Sequence, residues 1–397
     1  MHTTSMESVQ QKASRRLLQN YSRYPLVVES ASGCYVFDLD GRRYLDMIGG
    51  IGVNALGHGH PRIAAAMAEQ AARCLHTSNL VYHPYQGELA ERLCAMSGLD
   101  RVFFSNSGGE AMECALKAVR AHGRGLSPSK IRLVALERSF HGRSFGALAV
   151  TGHPEYRRPF EPLYPEATFV QSNDEDGLAA AVNEDTAGII LEPVMGEAGV
   201  YPLDDSFLRR ARELADRHNA LLVADEVQCG LGRTGRPFAF QWSGIRPDLV
   251  AVAKPLAAGL PLGATLFTEK AARSIPVGMH GTTCGGGPLA CRVALEFLAV
   301  MEELLPHIRK VGELLRAGLE SLAGRHPVIT GVRSKGMMFG LQLSVPGWPI
   351  LLRALELGLW LNCTHETVLR MLPPYILTRE QAGEAIEILD RALTDLN

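Results

Sequence analysis

The sequence predicts an α/β protein with a mainly parallel sheet covered by helices. Two observations carry this. Residues 187–191 and 221–224 are short, apolar and turn-bounded, as strands buried on both faces should be. From about residue 60 such runs alternate with longer segments of helical spacing, the texture of repeated βα units. The ligand site of such a sheet lies at the carboxyl ends of its strands. Two of those ends are charged: 221–224 runs into Asp225-Glu226, and the apolar run 249–253 runs into Lys254.

Taken in order, the chain opens with a helical segment and then a strand pair within residues 33–46. Asp40-Gly41 between apolar alternations is the hairpin-turn signal there. Residues 62–74 and 87–96 read as helices, 102–104 as a strand, 109–121 as a helix and 131–136 as a strand. After about residue 285 the pattern changes to two long helices, 289–304 and 307–323. A shorter α+β stretch containing Gly340-Leu341-Gln342-Leu343-Ser344 follows, and a last helix begins at Arg379. This tail is expected to form a second, smaller domain with which the N-terminal hairpin packs. There is no internal repeat and no low-complexity linker.

A chain of 397 residues, 46% of them hydrophobic, can bury a large core. Its 40 Lys+Arg against 42 Asp+Glu leave no global field for nucleic acid or an anionic membrane, so neither is an expected partner. Eight cysteines (Cys34, Cys74, Cys94, Cys114, Cys229, Cys284, Cys291 and Cys363) are scattered without a CxxC pair. That pattern suggests a reducing, cytoplasmic setting and neither a zinc site nor a disulfide framework. The N-terminal stretch 1–8 lacks the basic and apolar regions of a leader, and no apolar run is long enough to span a bilayer. His58 and His60 share a turn without nearby ligands, a structural rather than a metal-binding pattern.

A lysine and an aspartate at neighbouring strand ends suit one chemistry above others. The lysine would hold pyridoxal 5'-phosphate (PLP) as a Schiff base, and the aspartate would keep the pyridine nitrogen protonated. Residues 103–111, Phe-Phe-Ser-Asn-Ser-Gly-Gly-Glu-Ala, run from a strand through a glycine turn into a helix. Such a turn brings backbone N–H groups to an anion at the positive helix end, with the Ser107 hydroxyl as a further donor. An ordinary serine N-cap is an equal reading of the same turn. Gly230-Leu231-Gly232-Arg233-Thr234-Gly235 matches GxGxxG. However, Arg236-Pro237-Phe238 follows where a helix should open, and no acidic residue ends a strand about 20 residues on. A dinucleotide site is therefore excluded.

Together these pieces resemble the class III (ω-) aminotransferases, and within them the acetylornithine branch. The motifs carrying the resemblance run nearly the length of the chain. They are residues 46–61, with Val-Asn-Ala-Leu-Gly-His-Gly-His-Pro at their end, residues 106–111, and Ser139-Phe140-His141-Gly142-Arg143. Residues 191–197, Asp225-Glu226-Val227-Gln228, Lys254, His280-Gly281-Thr282-Thr283 and Val368-Leu369-Arg370 complete the set.

The resemblance implies PLP fold type I: a large domain with a mainly parallel seven-stranded sheet, plus a smaller α+β domain. The corresponding divisions are 1–55, packing with the small domain, 56–280 and 281–397. It implies that Lys254 carries the cofactor and Asp225 pairs with the pyridinium nitrogen. Gln228 would bond the ring hydroxyl, Phe140 stack on the ring, and Ser107, Gly108 and Gly109 bind the phosphate. Thr283 would reach that phosphate from the other subunit, which implies a homodimer with shared active sites.

For the substrate, the resemblance makes Arg143 a clamp for one carboxylate and Arg370 a clamp for the α-carboxylate of glutamate or 2-oxoglutarate. Glu197 would pair with Arg370 while an ω-amine donor is bound and release it to a dicarboxylate. Ile51 stands where ornithine aminotransferases carry a tyrosine, which favours an acylated donor. Thr282 would touch substrate from the neighbouring subunit, and the stretch 361–364, Leu-Asn-Cys-Thr, is typical of the acetylornithine enzymes. Met195, Gly109, Ser144, Cys284 and Gly287 depart from the usual residues around the cofactor and the subunit junction.

The expected reaction is PLP-dependent transfer of the terminal amine of N2-acetyl-L-ornithine to 2-oxoglutarate, giving N-acetyl-L-glutamate 5-semialdehyde and L-glutamate in arginine biosynthesis. The alternatives are another ω-amine donor (N-succinylornithine, 4-aminobutyrate, an acyl-lysine or ornithine) and a PLP aminomutase. The retained Glu197 and Arg370, a pair suited to alternating substrates, speak against the aminomutase. Intact Lys254 and Asp225 disfavour a non-catalytic relative.

Overall fold

The computed structural model describes residues 5–395. Residues 1–4, the start of the stretch read for a leader, and 396–397 lie outside the described residues.

The apolar runs become the centre of a seven-stranded sheet. Across it the strands are Arg101–Ser105, Gly263–Phe267, Leu249–Val252, Leu221–Asp225, Thr186–Leu191, Arg132–Leu136 and Ala167–Val170. Every residue of Thr186–Leu191, Leu221–Asp225 and Leu249–Val252 is buried, as helices on both faces require. Gly263–Phe267 runs antiparallel to both of its neighbours, and the other six strands share one direction. The expected mainly parallel α/β fold is present. Parallel pairing sets Asp225 beside Ala251, so Lys254 emerges just beyond it at the same sheet edge.

Two four-stranded sheets accompany this one, besides a two-stranded one, Val194–Met195 with Tyr201–Pro202. The expected N-terminal strand pair, Tyr35–Asp38 and Arg43–Asp46, gains a third strand, Val28–Ser32, which the sequence reading missed. That strand is almost wholly exposed and lacks the apolar alternation that marks the others. Asp38 Oδ1 organises the turn, accepting from the Asp40 and Arg42 N–H groups at 3.0 and 2.9 Å. Leu359–Trp360 adds in parallel to Arg43–Asp46, so the N-terminal meander is stitched to the C-terminal region. The other sheet is antiparallel, in the order Ile329–Lys335, Met338–Leu343, Val368–Met371, Asn362–Thr364.

The two long helices expected after residue 285 are one helix, Pro288–Arg325, running through Pro306. Proline removes a helical hydrogen bond and normally ends or kinks the helix. Here apolar side chains on both sides of it, among them Met301, Ile308 and Leu315, are buried in the core, and their burial holds the two halves to one line. The helix packs on Pro61–Ala71, Pro84–Ser97 and Arg379–Thr394 and reaches both the turn at Lys254 and the strand Ile329–Lys335. Among the described residues, no helix is long and apolar enough to cross a membrane.

The GxGxxG segment opens no helix; a short 3-10 turn, Ala239–Trp242, comes next. Its glycines serve a buried turn instead. A Cβ on Gly232 would sit 2.8 Å from Met301 Cγ, and Arg233 donates to the Pro373 and Met337 carbonyls at 2.6 and 3.2 Å.

Candidate active site

At the carboxyl edge of the large sheet lies a cavity of about 370 Å³ lined by Ser107, Gly108, Gly109, Phe140, Glu197, Asp225, Gln228 and Lys254 among others. All eight come from the sequence reading. Lys254 opens the short turn Lys254–Ala257 with φ +36°, a backbone conformation that costs a non-glycine residue roughly 1–3 kcal/mol. Desolvation pulls its ammonium below the ordinary value, against the opposing pull of the Glu197 and Asp225 carboxylates.

Asp225, at the end of its strand, is buried with both oxygens engaged. Oδ2 meets His141 Nδ1 at 2.8 Å and Oδ1 accepts from the Val227 N–H at 3.0 Å. The sequence reading quoted His141 only as part of a motif. No local signal shows that its ring lands on a strand end 84 residues away. Glu192 was also missed. It lines the cavity and accepts from the Phe140 N–H at 2.9 Å and the Gly196 N–H at 3.3 Å, tying together the loops after two strands. Burial raises its carboxyl to about 7, opposed by His141 and reinforced by Asp225.

At the other end, Ser107 caps the helix Gly108–Leu126, its hydroxyl accepting from the Glu110 N–H at 3.2 Å. Both readings of this turn are therefore compatible: the serine is an N-cap and it lines the cavity. Gly108 has no room for a side chain, since a Cβ would lie 2.7 Å from Val227 Cγ1. Gly109 faces nothing closer than 3.9 Å. Asn106 Nδ2 donates to Thr282 Oγ1 at 3.2 Å, while Thr283 is exposed and lies outside the cavity lining.

Toward the C-terminal sheet, Arg370 is buried on its strand, 3% exposed. Its Nη1 meets Glu197 Oε1 at 2.5 Å. Burial alone would raise the Glu197 carboxyl, but the charge and hydrogen bond of Arg370 outweigh it and hold it at about 2. Gln228 Nε2 donates to the same Glu197 oxygen at 3.3 Å, and Gln228 Oε1 is buried without a partner. Gly196 allows this crowding, because a Cβ there would sit 1.7 Å from Gln228 Oε1. Arg143 is exposed, with its guanidinium 3.8 Å from the Tyr156 ring centre and 5.4 Å from that of Phe140. Ile51 sits at φ +61°, 42% exposed and outside the cavity lining. His58 pairs with the buried Asp46 at 2.9 Å. No cluster of three or more candidate metal ligands occurs among the described residues.

Comparison with known proteins gives a consistent picture. A family model described as "Aminotransferase class-III" matches residues 18–393. An acetylornithine aminotransferase of Methanocaldococcus jannaschii is 42% identical, over 96% of this chain and 96% of its own length. One of Aquifex aeolicus is 41% identical, over 95% of this chain and 99% of its own. Among solved structures, the ornithine aminotransferase of Toxoplasma gondii ME49 superposes with a TM-score of 0.95 at 29% identity, covering 99% of this chain and 96% of that one. The acetylornithine aminotransferase of Elizabethkingia anophelis superposes with a TM-score of 0.88 at 30% identity, covering 98% and 99%.

Proposed function

The chain belongs to the class-III aminotransferases, which work with pyridoxal 5'-phosphate, and from that premise we propose that it moves the terminal amine of N2-acetyl-L-ornithine to 2-oxoglutarate. The products are N-acetyl-L-glutamate 5-semialdehyde and L-glutamate, a step of arginine biosynthesis. The observation that carries this reading is the pair of buried Arg370 with half-buried Glu197 beside a cavity-lining lysine.

The residues present fit the cofactor. The cavity offers a primary amine, a buried carboxylate across from it, an aromatic ring, and a helix start with space in front of Gly109. The unpartnered Gln228 Oε1 is an acceptor for a ring hydroxyl. When bound, the group supplies an electron sink for charge released at the carbon bearing the amine. Lys254 would hold it and later carry the proton from that carbon, with burial pulling its ammonium below the ordinary value. Asp225 would hold a proton at the pyridine nitrogen, with His141 fixing its orientation. Phe140 would cover the ring, and Ser107, Gly108 and Gly109 would bind the phosphate at the helix N-terminus.

Arg143 would clamp the donor's carboxylate. Glu197 would neutralise Arg370 while the uncharged part of the donor lies against it, since an unpaired buried cation is costly. It would release Arg370 when the dicarboxylate arrives. Ile51 offers no acceptor for a free α-amine, which supports an acylated donor. Half-buried Thr282 and exposed Thr283 sit on one loop at residues 281–284, suited to reaching a second subunit's site in a homodimer. The eight free thiols fit a reducing cytoplasm.

The test is an absorbance titration of the yellow enzyme with N2-acetyl-L-ornithine and no keto acid. Loss of the visible band establishes this donor. An unchanged spectrum, with bleaching by L-glutamate intact, keeps the aminotransferase and discards this donor for another ω-amine.

A further inference from the structure

The short strand Asn362–Thr364 touches both members of the Glu197–Arg370 pair. The Asn362 amide oxygen accepts from Arg370 Nε at 3.1 Å and from Nη2 at 2.9 Å. Its amide nitrogen donates to the Tyr24 hydroxyl at 3.3 Å, which ties the grip to the N-terminal segment. The Gly196 carbonyl takes Nη1 at 3.2 Å, so Glu197 binds Arg370 through Nη1 alone. Asn362 is neutral. It positions the guanidinium without cancelling its charge, and Arg370 still demands an anion if Glu197 withdraws. Thr364 acts on the other partner: its Oγ1 donates to the Glu197 backbone carbonyl at 3.0 Å. That bond holds the main chain and leaves the carboxylate free to turn about its own dihedrals.

We propose that Asn362 and Thr364 are positioning residues for the exchange of substrates. Asn362 keeps Arg370 stationary for the incoming dicarboxylate, and Thr364 anchors the backbone about which the Glu197 carboxylate turns. The inference rests on reading Glu197 and Arg370 as an alternating pair. Their geometry assigns all the movement to the glutamate, because the arginine is held at three nitrogens and the glutamate side chain at one oxygen.

The experiment follows the two half-reactions separately in the holoenzyme by rapid-mixing absorbance. In Asn362→Ala the concentration dependence of the L-glutamate half-reaction shifts upward about tenfold, the scale of losing hydrogen bonds to a charged group, while its limiting rate holds within about twofold. The half-reaction with N2-acetyl-L-ornithine shifts far less. Thr364→Val shows the reverse preference. Asn362→Asp keeps the acceptor but adds charge; Arg370 is then already neutralised, and L-glutamate binding weakens beyond that of Asn362→Ala. Equal losses in both half-reactions, or no shift in either, overturn the proposal. If N2-acetyl-L-ornithine fails to reduce the unmodified enzyme, the substrate reading falls on its own. The L-glutamate arm still decides the role of Asn362.

Discussion

Glu197 is ionised at any pH the cell offers, because Arg370 holds its carboxyl at about 2 against the opposing effect of burial. A folded-state value below the ordinary 4.5 means the pair stabilises the fold above that value. The contribution fades as pH falls from 4.5 toward 2. Glu197→Gln should therefore melt lower than the unmodified protein at pH 7, with the gap narrowing by pH 3. Thermal melts of both apoproteins check this, and a gap of constant size would show that the pair does not carry it. Glu197→Ala should impair the N2-acetyl-L-ornithine half-reaction more than the L-glutamate half, since only the donor leaves Arg370 unpaired; equal losses would count against the switch. Both residues stood out in the sequence through their motifs. Asn362 and Thr364 stood out only as part of the stretch 361–364, and what they and the Gly196 carbonyl hold carries no signal until the register of Asn362–Thr364 against Val368–Met371 places them.

At the scale of elements, the strand–turn–helix from Arg101–Ser105 to Gly108–Leu126 shapes the proposed phosphate end of the cavity. Gly108→Ala would push a methyl to 2.7 Å from Val227 Cγ1, an overpacking strain of roughly 1–3 kcal/mol. Retention of PLP should drop about tenfold, and Val227→Ala in the same chain should restore most of it. A fluorescence titration of the apoprotein measures both; a failure to rescue would mean that the clash is not the cause. The helix Pro288–Arg325 offers a separate test. Pro306→Ala returns a missing N–H to a helix that packing already holds continuous, so the melting temperature should rise with activity unchanged. A lower melting temperature would show that the proline's geometry is part of the packing. The proline made one helix look like two in the sequence, because a local breaker signal cannot register the core on either side of it.

At the scale of the whole molecule, the loop at residues 80–82 and the segment 277–284 both carry exposed apolar side chains. Tyr82 and Val277 are fully exposed, and Leu80 is 94% exposed. Asn79 Nδ2 binds the Thr282 and Gly285 carbonyls, both at 3.1 Å, so the two segments are joined. Apolar surface of this kind beside Thr282 and Thr283 suits a second copy of the chain. Sedimentation should give a dimer, and Val277→Asp combined with Tyr82→Asp should shift it toward monomer with loss of activity. A monomeric unmodified enzyme at full activity would remove the shared-site reading.

The sequence by itself determined the mainly parallel α/β fold, the family, and the lysine and aspartate that end neighbouring strands. Buried parallel strands announce themselves by unbroken apolar runs, and the charged residues that end them stay adjacent to those runs in the chain. Tertiary structure alone decided how these residues are supported. His141 reaches Asp225 across 84 residues, and Thr364 reaches the Glu197 carbonyl across 167. Such pairings depend on sheet register and on the packing of one sheet against another, and hydrogen bonds between distant neutral groups leave no periodic trace in the chain.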